Sequence, residues 1–327
     1  MNSSGKKATA KIRVAVLRGG PSSEHTISIS SGKHVLENLD IEKFVPIDIY
    51  IDKGGVWHLD GVATSPYNAL QFVDVVFNAM HGEYGEDGVV QALLEELSVP
   101  YNGSSTFASS LAIDKHKTAL LLEKDGVLSP FSTVIRPYAK APEKAIAELW
   151  RTMHHPLIVK PVASGSSVGL ALAKDFKHFD TSVRKILVSG HSALVQEYIR
   201  GREVSVSIIE DMREQDLYAA IPVTIKHNSH IFDNVTKKSA SFHVEPMRGF
   251  SSTERELVIR IAKHIHKEFG LRHYSRSDFI INEKGVYFIE VNTLPGLTKH
   301  SILPAALKES GISMKDFLTH VIQKSGK

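Results

Sequence analysis

The sequence predicts an α/β protein that becomes α+β in its C-terminal part, and three observations carry that prediction. Over roughly residues 1–103, short β-branched runs end in glycine turns and alternate with helical stretches, as parallel strands joined by crossover helices do. Beyond residue 200 the runs lengthen and follow one another directly, the habit of antiparallel strands. The chain has 327 residues, 42% of them hydrophobic, enough for two or three buried cores.

The elements follow in order. Residues 11–18 (KIRVAVLR) form a strand that runs into the turn Gly19-Gly20-Pro21. A helix fits 23–39 with Ser22 or Ser23 as its cap; 44–51 and 74–80 read as strands and 88–97 as a helix. Tyr101-Asn102-Gly103 makes a turn that closes a first unit, 1–103. Residues 106–125 read as one long helix ending near Gly126. A central unit, 104–195, then carries strands at 131–135, 157–162, 169–173 and 193–199 and helices at 143–153 and 176–188. The third unit, 196–327, begins with long strands at 202–210 and 217–226. Residues 227–250 are polar without period; an irregular stretch of that length inside a compact protein reads as a lid, disorder being the rival reading. Ser251 with Glu254, or Thr253 with Glu256, offers a capping box, Leu257, Ile261, Ile265 and Phe269 repeat every four residues, and Gly270 closes the helix. A hairpin over 275–292, a loop through Leu294-Pro295-Gly296 and helices at 302–310 and 314–325 finish the chain.

Composition excludes several classes. Lys+Arg minus Asp+Glu is 39 − 36 = +3, too even for nucleic-acid or membrane-surface binding by bulk charge. Without cysteine there is no disulfide, thiolate metal site, Fe–S cluster or cysteine nucleophile. No apolar run approaches the ~18 residues a membrane span needs, and the polar start of the chain is unlike a secretory signal. A cytoplasmic protein is expected.

The hairpin 275–292 (SRSDFIINEKGVYFIEVN) holds the densest chemistry. With Glu283-Lys284-Gly285 as a three-residue loop, Asn282 opposes Val286, Asp278 opposes Glu290 and Arg276 opposes Asn292. Alternation puts Arg276, Asp278, Glu290 and Asn292 on one face, with Ile280, Val286 and Phe288 nearer the turn; Phe279, Ile281, Tyr287, Ile289 and Val291 take the other. Opposed carboxylates repel unless one is protonated or a cation intervenes. Oxygen donors from Asp278, Glu290 and the Asn292 amide suit Mg²⁺ or Mn²⁺ better than zinc. The competing reading is an Arg276–carboxylate salt bridge, and the residues alone leave both open.

Two further signals are weaker. A strand carrying Lys160 runs into Gly165-Ser166-Ser167-Val168-Gly169, small residues whose backbone N–H groups can approach phosphate oxygens; a plain hairpin loop explains them as well. His81-Gly82-Glu83-Tyr84-Gly85-Glu86-Asp87-Gly88 and the Gly19–Glu24 turn lie at the same carboxyl edge of the first sheet, where ligand crevices form. Singly, His81 reads as a turn histidine and Glu24 as a first-turn carboxylate; together they favour a substrate pocket.

These pieces occur in an order that resembles the D-alanine–D-alanine ligase family. The resemblance runs through Gly19–Glu24, Ser28 to Gly32, His81-Gly82, Gly85–Gly88, Pro100–Ser104, Asp114-Lys115, Val159-Lys160-Pro161, Gly165–Gly169, Gly201-Arg202-Glu203, Arg276–Phe279 and Glu290–Gly296, covering about residues 11–325. It implies the ATP-grasp architecture, with a Rossmann-like N-terminal domain and ATP held between the central and C-terminal units. By that likeness Lys115, Lys160, Glu197 and Glu203 hold the nucleotide, Tyr198 and Ile199 lie near the adenine, and the loop with Gly165 and Ser167 covers the phosphates. Asp278, Glu290 and Asn292 ligate two Mg²⁺ ions, with Mn²⁺ as a substitute. Glu24 takes the ammonium of the first amino acid beside His81, and Ser301 helps seat the second substrate's carboxylate.

The implied reaction phosphorylates a D-alanine carboxylate with ATP; the amine of a second substrate then attacks the acyl phosphate. Arg276 and the Gly296 N–H stabilise the oxyanion, and Ser166 orients the attacking group. Lys237 matches the family's loop lysine, but Lys238 stands where the family has tyrosine. That departure opens the second substrate's identity: D-alanine leads, D-serine or the hydroxy acid D-lactate follow, and a catalytically silent nucleotide-binding relative is the alternative of another class. A homodimer is the expected assembly.

Overall fold

The computed structural model describes residues 10–139, 141–165, 169–227 and 242–326. Strand β1 (Ile12–Gly19) lies between β2 (Phe44–Ile51) and β5 (Val75–Asn78), parallel to both, and helix α1 (His25–Asn38) makes the first crossover. Val14 and Val16 face one core and Ala15 and Leu17 the other, all fully buried. A strand covered on both faces reads as an unbroken apolar run, hence the legibility of β1.

The first sheet is not wholly parallel. A hairpin of β3 (Trp57–Leu59) and β4 (Val62–Thr64) adds antiparallel to β2, giving the order β4-β3-β2-β1-β5. Its two-residue turn is Asp60-Gly61, with φ of 51° and 79°, the left-handed pair that Asp-Gly favours. Helices α2 (Pro66–Leu70) and α3 (Val89–Glu96) complete this part.

The long helix expected at 106–125 is two helices, α4 (Thr106–Ala112) and α5 (Lys115–Glu123). The Asp114 carboxylate accepts the Lys117 N–H at 3.0 Å and starts the second helix, so the chain turns just before Lys115. Ala108, Ala112 and Leu122 of these helices pack beneath the C-terminal sheet.

A four-stranded antiparallel sheet comes next, ordered β6 (Ser132–Ile135), β9 (Ala193–Glu197), β7 (Leu157–Pro161), β8 (Ala171–Ala173). Helices α6 (Pro142–Thr152) and α7 (Phe176–Val188) cover it through Ile146, Phe179, Val183 and Ile186.

The third sheet runs β13 (Phe242–Pro246), β12 (Val223–His227), β10 (Arg202–Met212), β14 (Tyr274–Asn282), β15 (Gly285–Asn292), with β11 (Gln215–Ala219) also paired to β10. The single strand expected at 217–226 is broken: Ala219 pairs with Ile208, but Pro222 has no N–H for a ladder, and Val223 re-enters against Ser205. Helix α8 (Ser252–Glu268) begins with the Ser251–Glu254 capping box, and Gly270 follows its end at φ 58°. Of the expected lid, Phe242–Pro246 is strand paired with β12, and residues 228–241 lie outside the described residues. Helices α9 (Ile302–Glu309) and α10 (Met314–Ser325) fold back onto the first sheet, joining Leu303, Leu307, Phe317 and Val321 to Val14, Val16 and Phe77 in one core. Among the described residues, no helix is long and apolar enough to cross a membrane.

Candidate active site

The β14–β15 hairpin reaches the expected cross-strand pairs by another route. Asn282 pairs with Gly285, so Glu283-Lys284 is a two-residue turn rather than part of a three-residue loop. That shifts the register by one, and a bulge beside Phe279 shifts it back, Ile289 being the extra residue. Asp278 therefore opposes Glu290 and Arg276 opposes Asn292, as expected. Between turn and bulge the faces are exchanged: Val286 and Phe288 join Phe279 and Ile281 in the core, and Ile280 and Tyr287 take the face first assigned to Val286 and Phe288. The bulge turns the carboxylates away from that core.

Arg276 grips Asp278 in a fork, Nε to Oδ1 and a terminal nitrogen to Oδ2, both at 2.8 Å. Ser205 Oγ on the neighbouring β10 donates to Oδ1 at 2.6 Å, and Asn292 Nδ2 donates to Oδ2 at 3.2 Å. Burial works against the Arg276 charge, but Asp278 and then Glu290 outweigh it and hold the guanidinium protonated. The salt-bridge reading thus describes Arg276 and Asp278 as the fold places them. Lys115 Nζ lies 3.6 Å from Glu290 Oε2 and donates to the Ser164 carbonyl at 2.6 Å, linking the hairpin to the chain before Gly165. Two carboxylates face two cations. The donors that Asp278, Glu290 and Asn292 can offer are all oxygens, on one hairpin end, and they fit a hard divalent cation.

The first sheet brings the opposite wall. Glu24 immediately precedes α1, makes no side-chain cap to it, and is buried. A Cβ on Gly82 would come within 2.7 Å of Glu24 Oε2, and one on Gly165 would collide with the same oxygen. Glycine at both positions lets two backbone segments close on the Glu24 carboxylate. His81 is 3% exposed; its Nε2 meets Ser31 Oγ at 2.7 Å and its Nδ1 the Leu294 carbonyl at 3.0 Å. Ser31 Oγ also accepts the Leu297 N–H at 3.2 Å, and His34 Nδ1 meets the Leu297 carbonyl at 2.7 Å. The loop through Gly296 is therefore tethered to α1 and to the end of β5. A Cβ on Gly296 would lie 2.9 Å from Ser301 Oγ. Ser301 precedes α9 without capping it; its Oγ accepts the Thr298 N–H at 3.1 Å.

Burial pushes the His81 imidazole down to about 4, the Arg276 charge adds to that, and the Leu294 carbonyl opposes it. The folded protein keeps His81 neutral while the unfolded chain takes up a proton near pH 6.5. Stability contributed by this residue is complete above that value and is lost as pH falls toward 4, a cost of about 3 kcal/mol in all. Urea titrations of wild type and His81→Gln between pH 7 and 4 should show the shallower acid limb in the variant. Parallel limbs would contradict a neutral buried His81.

On the nucleotide side, Lys160 is buried on β7, and Glu197 ends β9 with Oε1 accepting the Phe131 N–H at 2.9 Å. Tyr198 and Ile199 are half-buried in the connection to β10. Glu203 pairs with Ile280 and Ser205 with Asp278, so Glu203 shares a sheet face with Asp278. Ser166, Ser167, Lys237 and Lys238 lie outside the described residues. Ser205, Ser31 and Glu86 join the site without having been singled out. The signal for Ser205 is the alternation Glu203-Val204-Ser205-Val206-Ser207, polar residues at every second place of a central strand.

Comparison with known proteins adds independent findings. Family models described as the D-ala D-ala ligase N-terminus and C-terminus match residues 13–71 with 61–104, and 121–323. A D-alanine–D-alanine ligase of Leptospira biflexa is 32% identical, over 97% of this chain and 99% of that protein. One from Aquifex aeolicus is also 32% identical, over 95% and 100%. Among solved structures, the VanG D-Ala:D-Ser ligase from Enterococcus faecalis aligns with TM-score 0.79 at 27% identity, over 96% and 99%. The Bacillus anthracis D-alanine–D-alanine ligase complexed with ATP aligns with TM-score 0.78 at 26% identity, over 96% and 97%. The expected ATP-grasp fold is borne out by these likenesses.

Proposed function

The chain belongs to the D-alanine–D-alanine ligase family, and on that premise we propose that it joins two D-alanines with ATP, releasing ADP and phosphate, to make a peptidoglycan precursor. The observation that carries this reading is the meeting of three units at one place. Gly165 abuts Glu24, His81 holds Leu294, and Lys115 lies beside Glu290. An amino acid whose ammonium sits at Glu24 then has its carboxylate directed toward the cationic end of the hairpin.

Phosphoryl transfer to that carboxylate needs positioning and charge compensation more than a covalent nucleophile. Lys115 and Lys160 orient the ATP phosphates, with Glu197 and Glu203 on the nucleoside side near Tyr198 and Ile199. Asp278, Glu290 and Asn292 would hold two Mg²⁺ ions, or Mn²⁺, and ions held there would supply positive charge toward the phosphates. In the second step the incoming amine forms the C–N bond and phosphate leaves. Arg276 and the Gly296 N–H then face the developing oxyanion, while the N-terminal end of α9 at Ser301 suits the second carboxylate. Ser166, Ser167, Lys237 and Lys238 complete the set as sequence-based assignments.

Because the reaction consumes ATP we place the protein in the cytoplasm, and we take it to act as a homodimer. Phosphate release with ATP, Mg²⁺ and D-alanine, followed by D-alanine with D-serine or D-lactate added singly, tests the reading. D-Alanine alone should support turnover and yield D-alanyl-D-alanine. Release only with D-serine or D-lactate present would move the second substrate, and no release with any of them would refute the ligase reading.

A further inference from the structure

Glu86 stands inside the site and has no part in the reaction as derived above. Its side chain reaches back along its own turn: Oε2 accepts the Gly82 N–H at 2.7 Å, while its backbone N–H donates to the Gly82 carbonyl at 2.8 Å. The two bonds close a ring that fixes the glycine turn. Gly82, φ 72°, is the residue whose missing Cβ admits the Glu24 carboxylate. The carboxyl of Glu86 lies inside the protein although part of the residue remains exposed. Three ionisable groups from the surrounding elements act on it, Glu24 before α1, Lys115 at the start of α5 and Arg276 on β14, and the Tyr274 hydroxyl on β14 in turn feels its charge.

We propose that Glu86 is a positioning residue for the first amino acid: it locks the Gly82 turn against Glu24 and sets the charge that faces Arg276. This rests on the assignment of Glu24 to the first ammonium. Burial, and then the Glu24 charge, push the Glu86 carboxyl up to about 8, against the Gly82 N–H, Arg276 and Lys115. Near pH 7 the group is a neutral acid that still accepts the Gly82 N–H. Above pH 8 it ionises, adding a negative charge beside Glu24, which favours a bound ammonium.

Glutamine reproduces the neutral acid but cannot ionise, and alanine removes the clamp itself. Steady-state kinetics of wild type, Glu86→Gln and Glu86→Ala from pH 6.5 to 9 separate these roles, with the KM of each D-alanine, the KM of ATP and Tm recorded. At pH 7 Glu86→Gln should stay within about threefold of wild type, and above pH 8 its KM for the first D-alanine should exceed the wild-type value progressively. Glu86→Ala should raise that KM at least about tenfold at every pH, leaving the KM of ATP unchanged. An Ala variant matching wild type, a Gln variant as impaired as Ala at pH 7, or a Gln profile that follows wild type to pH 9 would each overturn the proposal. If Glu86→Ala does not fold, the Gln profile still decides. Wild type failing to ligate D-alanine at all would strike the functional reading instead.

Discussion

Glu290→Gln is expected to lower turnover by at least about a hundredfold while moving Tm by no more than about 2 °C. The two effects separate because they have different origins. Glu290 opposes Asp278 across the hairpin, and Lys115 lies 3.6 Å from its Oε2. Glutamine forfeits that ion pair, and loss of the Asp278–Glu290 repulsion offsets part of the cost. Glutamine keeps the shape and one oxygen donor but removes one negative charge from a site meant for divalent cations. Calorimetry without nucleotide and phosphate release with it measure both. A much lower Tm with near-normal turnover would make Glu290 a structural partner of Lys115 and nothing more.

Arg276→Met should cost both stability and rate. The guanidinium is buried and holds both oxygens of Asp278, so its removal leaves a carboxylate with, among the described residues, Ser205 and Asn292 as donors. Breaking one partner of such a pair costs about 3–5 kcal/mol. Loss of an oxyanion donor costs about 100–1,000-fold in kcat. Arg276→Lys keeps the charge without the fork and should fall between wild type and Met on both scales. The double variant Arg276→Met, Asp278→Asn isolates the stability effect: removing the stranded charge should restore much of the Tm. Arg276→Met with near-normal kcat and a lowered Tm would show that Arg276 serves the fold alone.

Legibility varied with the range of the interactions involved. β1 was legible because its burial is written into consecutive residues. The Ser251–Glu254 cap was legible because it is a local hydrogen-bond pattern. Asp114 broke the expected long helix because a capping carboxylate inside a helix-favouring run leaves little periodic trace. The return of α9 and α10 to the first sheet is long-range packing without a local signal. In the site, alternation along 275–292 sufficed to bring Arg276, Asp278, Glu290 and Asn292 together, although turn and bulge were both unforeseen. Their errors are equal and opposite, and cancel at the functional end. His81 was legible as a site residue, but its ties to Ser31 and Leu294 span 50 and 213 residues of chain and belong to the folded protein alone.

The central claim is that a D-alanine carboxylate is activated by the γ-phosphoryl group of ATP at the junction of Glu24, Arg276 and the Asp278–Glu290 hairpin. D-Alanine labelled with ¹⁸O in both carboxylate oxygens tests it most directly, by mass analysis of the phosphate released with the dipeptide. An acyl phosphate bridges through a carboxylate oxygen, so attack by the second amine must leave one ¹⁸O in the phosphate for each D-alanyl-D-alanine formed. Unlabelled phosphate, or AMP with pyrophosphate in place of ADP, would contradict the account.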